Sequence, residues 1–204
     1  MAAQTISYLS PEQYLEIERS AEYKSEYFSG QMFAMAGASR EHNLITGNIL
    51  GEIRAHLKGK PCETYPSDMR VLVPATGLYT YPDVSVACGE PEFLDEHIDI
   101  LLNPLVIVEV LSESTESYDR GSKFSQYQSI ESLQEYVLIA KDQPSVECYS
   151  RQADNKWLYE KSDGLDASVM LPALGFSLPL AEIYARVKFA SAVLGTPKSG
   201  EYTA

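Results

Sequence analysis

A run of apolar residues from Leu105 to Leu111, LVIVEVL, constrains the fold of this chain more than any other segment. A run of this length and composition predicts a buried strand. Glu109 interrupts the run, and a carboxylate in such a place loses its water at a cost of several kcal/mol unless a positive or hydrogen-bonding group compensates. The sequence therefore predicts that either a structural partner or a metal ion lies beside Glu109.

The chain is long enough for one domain with a full hydrophobic core, because it has 204 residues. Helical and strand patterns are mixed along it without an internal repeat or a linker, which predicts an α/β (α+β) domain around one twisted sheet. We expect residues 1–194 to form this domain and residues 195–204 to be a mobile tail. No stretch resembles a membrane span or a secretion signal, so we expect a cytoplasmic protein without membrane contact.

Local patterns predict most of the helices and strands. Ser10, Pro11 and Gln13 form the start of a helix near residues 10–20, and Ser39 caps a long helix that ends at Gly59. Ser29-Gly30 predicts a hairpin within residues 23–36. Further strands are predicted at 68–73, 81–88, 104–111, 135–140, 145–149, 157–161 and 167–171, and further helices at 119–130 and 180–186. Residues 75–80 are expected to be a turn-rich connection, and residues 89–99 an acidic loop.

The cysteine pattern argues against a zinc site or a disulfide framework. The three cysteines, Cys62, Cys88 and Cys148, are odd in number, widely spaced and without a CxxC pair. Free cysteines are usually buried in protein cores. We therefore expect all three to be reduced packing residues.

The charge argues against strong non-specific DNA binding. Sixteen basic and twenty-nine acidic residues give a net charge of −13, which repels nucleic acid at long range. A local basic face would still allow a DNA contact. The helix from Arg40 to Lys60, together with Arg120 and Lys123, could supply such a face.

Three acidic residues lie in strand-like contexts: Asp68, Asp83 and Glu109. If the strands of Asp83 and Glu109 are neighbours, their carboxylates converge at the sheet and form the hard oxygen ligand set of Mg²⁺ or Mn²⁺. Asp119, Lys123 and Tyr127 are spaced at i, i+4 and i+8, so on a helix they share one face. That helix follows the Glu109 strand directly, which would let Lys123 return towards Glu109 and position a water or a phosphate.

Several segments together resemble the Uma-type restriction endonuclease family, a large bacterial family placed in the PD-(D/E)xK nuclease superfamily. They are YPDVSV, LVIVEVLSEST, DRGSKFSQY and LQEYVLI. Upstream, YKSEYFSGQMFAMAGASREHN looks like the family's glutamate-containing hairpin followed by a helix that begins near a histidine, and SDMRVLV looks like its Asp-containing strand. The resemblance covers residues 8–185. EVLS-x-ST with the following D-x-x-x-K-x-x-x-Y is specific, whereas PD alone is a weak signal.

The resemblance implies a restriction endonuclease-like core with an extra N-terminal helix and hairpin, and hydrolysis of phosphodiester bonds in DNA. It also implies Mg²⁺ or Mn²⁺ held by Asp83, Glu109 and the backbone carbonyl of Val110. Lys123 would complete the catalytic group. The supporting residues would be Glu26, His42, Asp68 and Tyr127. A homodimer is expected because enzymes of this superfamily often cut two strands by symmetry.

Structural explanations remain open for each of these residues. Glu109 and Lys123 could form only a buried ion pair, Asp83 could end a turn, and the supporting residues could be packing or hydrogen-bonding groups. The superfamily's usual lysine stands two residues after the second acid, where this chain has Leu111, and Lys123 is the replacement. Ser112-Glu113 also stands where the family often has Ser-Pro. The alternative function is a catalytically degenerate nuclease fold that acts as a binding or regulatory module, and metal affinity separates the two.

Overall fold

The computed structural model describes residues 8–189, so the expected mobile tail at 195–204 lies outside the described residues. The helices are α1 (Pro11–Ser20), α2 (Arg40–His56), α3 (Glu116–Tyr118), α4 (Phe124–Tyr127) and α5 (Leu180–Ile183). A π-helical turn, Asp119–Lys123, joins α3 to α4, and a 3-10 turn spans Pro172–Leu174. Within residues 8–189, no helix is long and apolar enough to cross a membrane.

Thirteen strands accompany these helices in the described part of the chain. They are β1 (Ser25–Phe28), β2 (Gln31–Ala34), β3 (Cys62–Pro66), β4 (Arg70–Val73), β5 (Leu78–Thr80), β6 (Val84–Cys88), β7 (Ile100–Leu101), β8 (Val106–Leu111), β9 (Glu135–Ala140), β10 (Ser145–Arg151), β11 (Trp157–Asp163), β12 (Ser168–Leu171) and β13 (Phe176–Pro179). The mixed α+β class predicted from sequence is confirmed.

The strands form three sheets, not the single sheet that the sequence pattern predicts. A six-stranded sheet has the order β11-β10-β9-β8-β6-β3, a five-stranded sheet has the order β2-β1-β5-β4-β7, and β12 pairs with β13. Most neighbours are antiparallel, but β8 runs parallel to β9 and β4 runs parallel to β7. Strand patterns in a sequence show which residues are extended, and the partners are decided by tertiary packing.

Strand β8 lies inside the six-stranded sheet, and its two faces belong to different cores. Its even-numbered valines pack with the buried face of α2, which contributes Ile45, Ile49 and Ile53. On the opposite face, Ile107 and Leu111 join the core that contains Phe124 and Tyr127 of α4. Glu109 shares that second face, because side chains alternate along a strand. The sheet therefore directs Glu109 towards the helical segment that follows β8.

The N-terminal helix and hairpin form a third core on the five-stranded sheet. Ser10 and Gln13 make the predicted capping box of α1. Tyr14 is fully buried, stacks on Tyr27 of β1 with ring centroids 4.9 Å apart, and donates a hydrogen bond to the carbonyl of Ser25 at 2.7 Å. These contacts hold β1 in place, and β1 carries Glu26 between Ser25 and Tyr27.

The prediction of three reduced cysteines is wrong for two of them. Cys62 and Cys88 lie opposite each other in the β3–β6 ladder and form a disulfide, whereas Cys148 is a buried free thiol as expected. The two cysteines are 26 residues apart, and no spacing motif reveals a cross-strand pair of this kind. A cross-link over a loop of this length stabilises a fold by about 3 kcal/mol in the chain-entropy model.

Four strands lack a clear pattern in the sequence. β5 lies within the predicted turn-rich connection, and the two-residue β7 follows the acidic loop. β3 was missed because it is an edge strand whose residues are half-buried or exposed, so no alternation marks it. β13 also has mixed exposure and runs directly into α5. The predicted strand at 81–88 begins later, at Val84, because Tyr81 and Pro82 belong to the preceding connection.

Glu135 should make the stability of the fold depend on pH. Its side chain is almost completely buried at the start of β9, where one carboxylate oxygen accepts the Ala173 N–H at 2.8 Å and the other has no partner among the described residues. Burial raises the pKa of Glu135 to about 7, although the Ala173 bond opposes the change. The folded protein therefore binds a proton that the unfolded chain releases between about pH 4.5 and pH 7.

Because the pKa of Glu135 is higher in the folded protein than in the unfolded chain, its stabilising contribution is fully present below the pKa of the unfolded chain. That contribution is lost as the pH rises through the pKa of the folded protein. We expect Glu135→Gln to raise the free energy of unfolding by on the order of 1–3 kcal/mol at pH 8, and by little at pH 4.5. Urea unfolding at both pH values measures this, with Glu160→Gln on the exposed face of β11 as the control. An equal effect at both pH values would contradict the assignment.

Candidate active site

Asp83 and Glu109 face each other across two paired strands. The ladder pairs Val84 with Val108, so the next step of the antiparallel register places Asp83 opposite Glu109. Side chains of directly opposed residues share a face, with Cβ atoms about 4.5–5.5 Å apart. The prediction that these two strands are neighbours is confirmed.

The Asp83 carboxylate is held in a fixed orientation. Its Oδ2 atom accepts the backbone N–H of Val110 at 2.7 Å and lies 3.1 Å from Nε2 of His42, near the start of α2. Both contacts are made by Oδ2, so Oδ1 takes part in neither of them. His42 Nδ1 is buried and has no hydrogen-bond partner among the described residues. The sheet and α2 thus fix one oxygen of Asp83, and the other remains available to a ligand.

Glu109 is buried and contacts two groups of the helical segment. Its Oε1 atom receives hydrogen bonds from the Lys123 ammonium at 2.9 Å and from the Tyr127 hydroxyl at 3.0 Å. Lys123 ends the π-helical turn and Tyr127 ends α4, so the i, i+4 spacing of these two residues directs both towards β8. As at Asp83, one oxygen carries both contacts.

Lys123 is the cation at the centre of the site. Its ammonium lies 2.9 Å from Glu109, 3.1 Å from Glu26 and 3.6 Å from Asp119, and the residue is only 5% exposed. Burial by itself lowers the pKa of Lys123, but the carboxylates around it reverse this effect and raise the pKa well above its usual value. Glu109 and Glu26 lie within hydrogen-bond distance of the ammonium, and Asp119 adds a weaker charge contact at 3.6 Å.

Glu26 reaches the site from the five-stranded sheet. The hairpin β1–β2 pairs with β5 through Tyr27 and Tyr79, which brings Glu26 beside Thr80. The Thr80 hydroxyl donates to the carboxylate of Glu26 and lies 3.5 Å from the Tyr127 hydroxyl. Thr80 is fully buried. The site therefore joins both large sheets and the helical segment through side-chain contacts.

The site holds more carboxylates than cations. Glu26, Glu109 and Asp119 surround Lys123, and Asp83 lies opposite Glu109 on the neighbouring strand. Burial raises the pKa of Glu109, and the charges of Asp119 and Asp83 add to this effect against the opposing charge of Lys123. Burial likewise raises the pKa of Asp119. Without a further cation, the charges around Glu109 and Asp119 disfavour the ionised forms of these two residues, because like charges in a desolvated site repel.

The structure brings together all but one of the side chains predicted for the site. Asp68 is the exception, because its side chain is 87% exposed and pairs with Lys24 at 3.0 Å. Thr80 and Asp119 belong to the cluster and were not predicted as site residues. The Asp119-to-Lys123 spacing was a usable signal for Asp119, whereas nothing in the local sequence marks Thr80.

The donor set is chemically suited to a hard divalent cation. Two carboxylates with one oxygen each outside the protein contacts, and the backbone of Val110 beside them, are oxygen ligands of the kind that Mg²⁺ and Mn²⁺ prefer. The surplus negative charge favours the same ions. Within residues 8–189, no group of three or more His, Cys, Asp or Glu side chains forms a ready metal cage. Mg²⁺ commonly binds through one or two carboxylates and keeps several waters, so the two acids are sufficient.

Comparisons with known proteins agree with this fold. Two curated proteins of Synechocystis sp. PCC 6803 are similar over nearly their whole lengths. "Uncharacterized protein slr1290" is 38% identical over 89% of this chain and 94% of its own length, and "Uncharacterized protein sll1609" is 36% identical over 83% and 96%.

A solved structure shares the fold. It is described as a putative nuclease belonging to DUF820 from Anabaena variabilis, and it superposes with a TM-score of 0.70 over 85% of this chain and 96% of that one. At 20% sequence identity, this likeness establishes a restriction endonuclease-like fold. The sequence profile of the Uma2 family, described as "Putative restriction endonuclease", matches residues 11–181. The chain therefore belongs to the Uma2 family.

Proposed function

We propose that this protein is a metal-dependent endonuclease that hydrolyses phosphodiester bonds of DNA, with Mg²⁺ or Mn²⁺ held by Asp83, Glu109 and the carbonyl of Val110. The observation that carries the proposal is the convergence of these two acids and Lys123 in a buried cluster with surplus negative charge. A buried ion pair alone needs one carboxylate for one lysine. Here three carboxylates lie within 3.6 Å of Lys123, and Asp83 lies opposite Glu109 on the neighbouring strand, so the cluster is costly unless another cation joins it.

Different side chains hold the two acids that are proposed to bind the metal ion. When bound, the ion lowers the pKa of a water and stabilises charge on the phosphoryl group. The Val110 N–H and His42 hold Asp83, while Lys123 and Tyr127 hold Glu109. Lys123 is buried among three carboxylates that lie within 3.6 Å of its ammonium, which supports a positioning role for it. Leu111, at the usual lysine position, packs in the core and makes no polar contribution.

The expected homodimer and the expected contact with DNA are both compatible with this proposal. We propose a homodimer as the form that cuts both strands of a duplex, since a two-fold axis would present one site to each strand. The net charge of −13 requires the protein to meet DNA through a local basic surface.

Asp83→Asn tests the proposal directly. The amide oxygen of Asn can still accept the Val110 N–H, so the fold should survive while the ligand charge is lost. We expect Mn²⁺ at about 100 times its Kd to stabilise the wild-type protein by about 2.7 kcal/mol, seen as a rise in Tm, and Asp83→Asn to show no rise. We also expect wild-type protein with Mg²⁺ or Mn²⁺ to nick supercoiled plasmid, and Asp83→Asn to leave it intact.

The proposal would be overturned by a wild-type protein that neither melts later with Mn²⁺ nor cuts DNA. That outcome would favour the alternative function, a degenerate nuclease fold that serves as a binding module. Asp68→Asn is the matched control, because Asp68 is an exposed acid outside the cluster. It should behave as wild type in both assays.

A further inference from the structure

The basic face expected from the sequence is largely occupied by other contacts. Lys123 is buried in the acidic cluster, and Arg120 pairs with Glu116 and with Glu147. Arg40 pairs with Glu41 at 3.3 Å. These residues offer little positive charge to a polyanion, so a DNA contact has to come from elsewhere on the surface.

Three basic side chains at and just beyond the end of α2 form no ion pair with a carboxylate among residues 8–189. Arg54, Lys58 and Lys60 are exposed, and none forms an ion pair with a carboxylate in the part of the chain that the structure describes. The Lys60 ammonium lies 2.8 Å from Nε2 of His56, which also lies 3.1 Å from the Leu174 carbonyl oxygen. We call these three residues the basic trio. In a chain with a net charge of −13, an unpaired trio is an unusual concentration of positive charge.

The basic trio lines an open cleft between α2 and the edge strand β3. The cleft has a volume of about 720 Å³, and its lining includes Arg54, Lys58, Lys60, Cys62, Glu63 and Tyr65. Glu63 is the one carboxylate among these residues, and it accepts a hydrogen bond from Tyr65. The lining therefore keeps a net positive charge, and the disulfide of Cys62 fixes its β3 wall to β6.

The β3 wall of the cleft ends near the candidate active site. β3 runs antiparallel to β6, so Tyr65 lies opposite Ser85, close to Asp83, and Cys62 lies opposite Cys88 at the other end. Helix α2 spans the same interval, from His42 beside Asp83 to Arg54 and beyond. The helical rise places Arg54 about 18 Å from His42 along the axis. One strand of a duplex has a phosphate about every 3.4 Å, so this interval corresponds to about five base pairs.

We propose that this cleft binds the phosphate backbone of duplex DNA, about five base pairs from the phosphate that meets Asp83 and Glu109. The inference rests on the proposed nuclease function for its choice of polyanion. The basic trio attracts the backbone locally and gives an acidic protein a defined orientation on the duplex. Contacts of this kind position a protein on DNA and carry no sequence information themselves.

The test compares two triple variants that have the same net charge. Arg54→Gln/Lys58→Gln/Lys60→Gln removes the basic trio, and Lys141→Gln/Lys156→Gln/Lys161→Gln removes three lysines near β11, at the opposite edge of the sheet from β3. Each takes the charge from −13 to −16, because three positive charges are lost. Thermal melts establish that both variants fold. The probe is a fluorescein-labelled 20-base-pair duplex of mixed sequence, titrated in EDTA at several salt concentrations.

We expect the trio variant to bind the duplex at least about tenfold more weakly at low salt, with the slope of log K against log salt reduced by about 2–3. The control variant should stay close to wild type. Equal losses in both variants, no loss in either, or no binding by wild type would each overturn the inference.

A plasmid-cleavage assay on the same proteins separates this inference from the proposed function. If wild type does not cut but binds the duplex through the trio, the nuclease proposal fails and the cleft assignment stands. If the trio variant cuts with an unchanged KM, the nuclease proposal stands and the cleft assignment fails.

Discussion

Replacing Lys123 with methionine is expected to lower the free energy of unfolding by about 3–5 kcal/mol, because it leaves buried carboxylates without their cation. Methionine is close to lysine in length, so little cavity forms and the loss is electrostatic. Glu109, Glu26 and Asp119 all lie within 3.6 Å of the ammonium in the folded protein. Denaturant unfolding measured without divalent ions gives the value.

Two controls identify the origin of that loss. Lys141→Met changes a lysine in the turn after β9, outside the cluster, and should alter stability by less than about 0.5 kcal/mol. The double variant Lys123→Met/Glu109→Gln removes one of the carboxylate charges that Lys123→Met leaves without a cation. It should therefore recover part of the lost free energy of unfolding. If the double variant is as unstable as the sum of the two single variants, the charges do not interact as the geometry indicates.

Replacing Glu109 with glutamine is expected to reduce DNA cleavage by about 10²–10⁴-fold while the protein stays folded. A metal ion contributes several kcal/mol to such a reaction, and this substitution removes one of its charged ligands. The amide oxygen of glutamine can still accept hydrogen bonds from Lys123 and Tyr127. The unfolding free energy without metal should therefore be retained or raised, since the surplus negative charge falls.

The decisive comparison for Glu109 joins three readouts on the same preparation: plasmid cleavage, the rise in Tm with Mn²⁺, and stability without metal. If Glu109 is a metal ligand, Glu109→Gln should lose plasmid cleavage and the rise in Tm with Mn²⁺, and keep its stability without metal. If Glu109 has a purely structural role, Glu109→Gln should lose only the stability without metal. Glu135→Gln is the matched control, because it neutralises a buried glutamate outside the site and should leave cleavage and the Mn²⁺ effect intact.

Much of the site could be predicted from local sequence. An acid inside a continuous apolar strand, and a lysine and a tyrosine at helical spacing just after it, already placed Lys123 and Tyr127 near Glu109. The capping box of α1 and the apolar periodicity of α2 were also recognised correctly. These features are local, because a strand's alternation, a helix's repeat and a cap depend on residues a few positions apart.

Only the tertiary structure decided which distant segments meet. Glu26 meets Thr80 and Lys123 because the hairpin pairs with β5, a contact between residues more than fifty positions apart. The same applies to the Cys62–Cys88 disulfide, which depends on the register of an edge strand without a recognisable pattern. The sequence patterns predicted one sheet and the structure has three, because strand pairing depends on contacts between distant segments.

The charged residues show most clearly what the sequence determines and what only the tertiary structure decides. The sequence identifies every acid and base, and it does not tell which of them neutralise one another. Asp68 lies in a promising motif but pairs with Lys24 at the surface, while Arg54, Lys58 and Lys60 line a cleft without a carboxylate partner among residues 8–189. Coulomb interactions depend on distance and on exclusion of water, and both are set only when the strands and helices have packed.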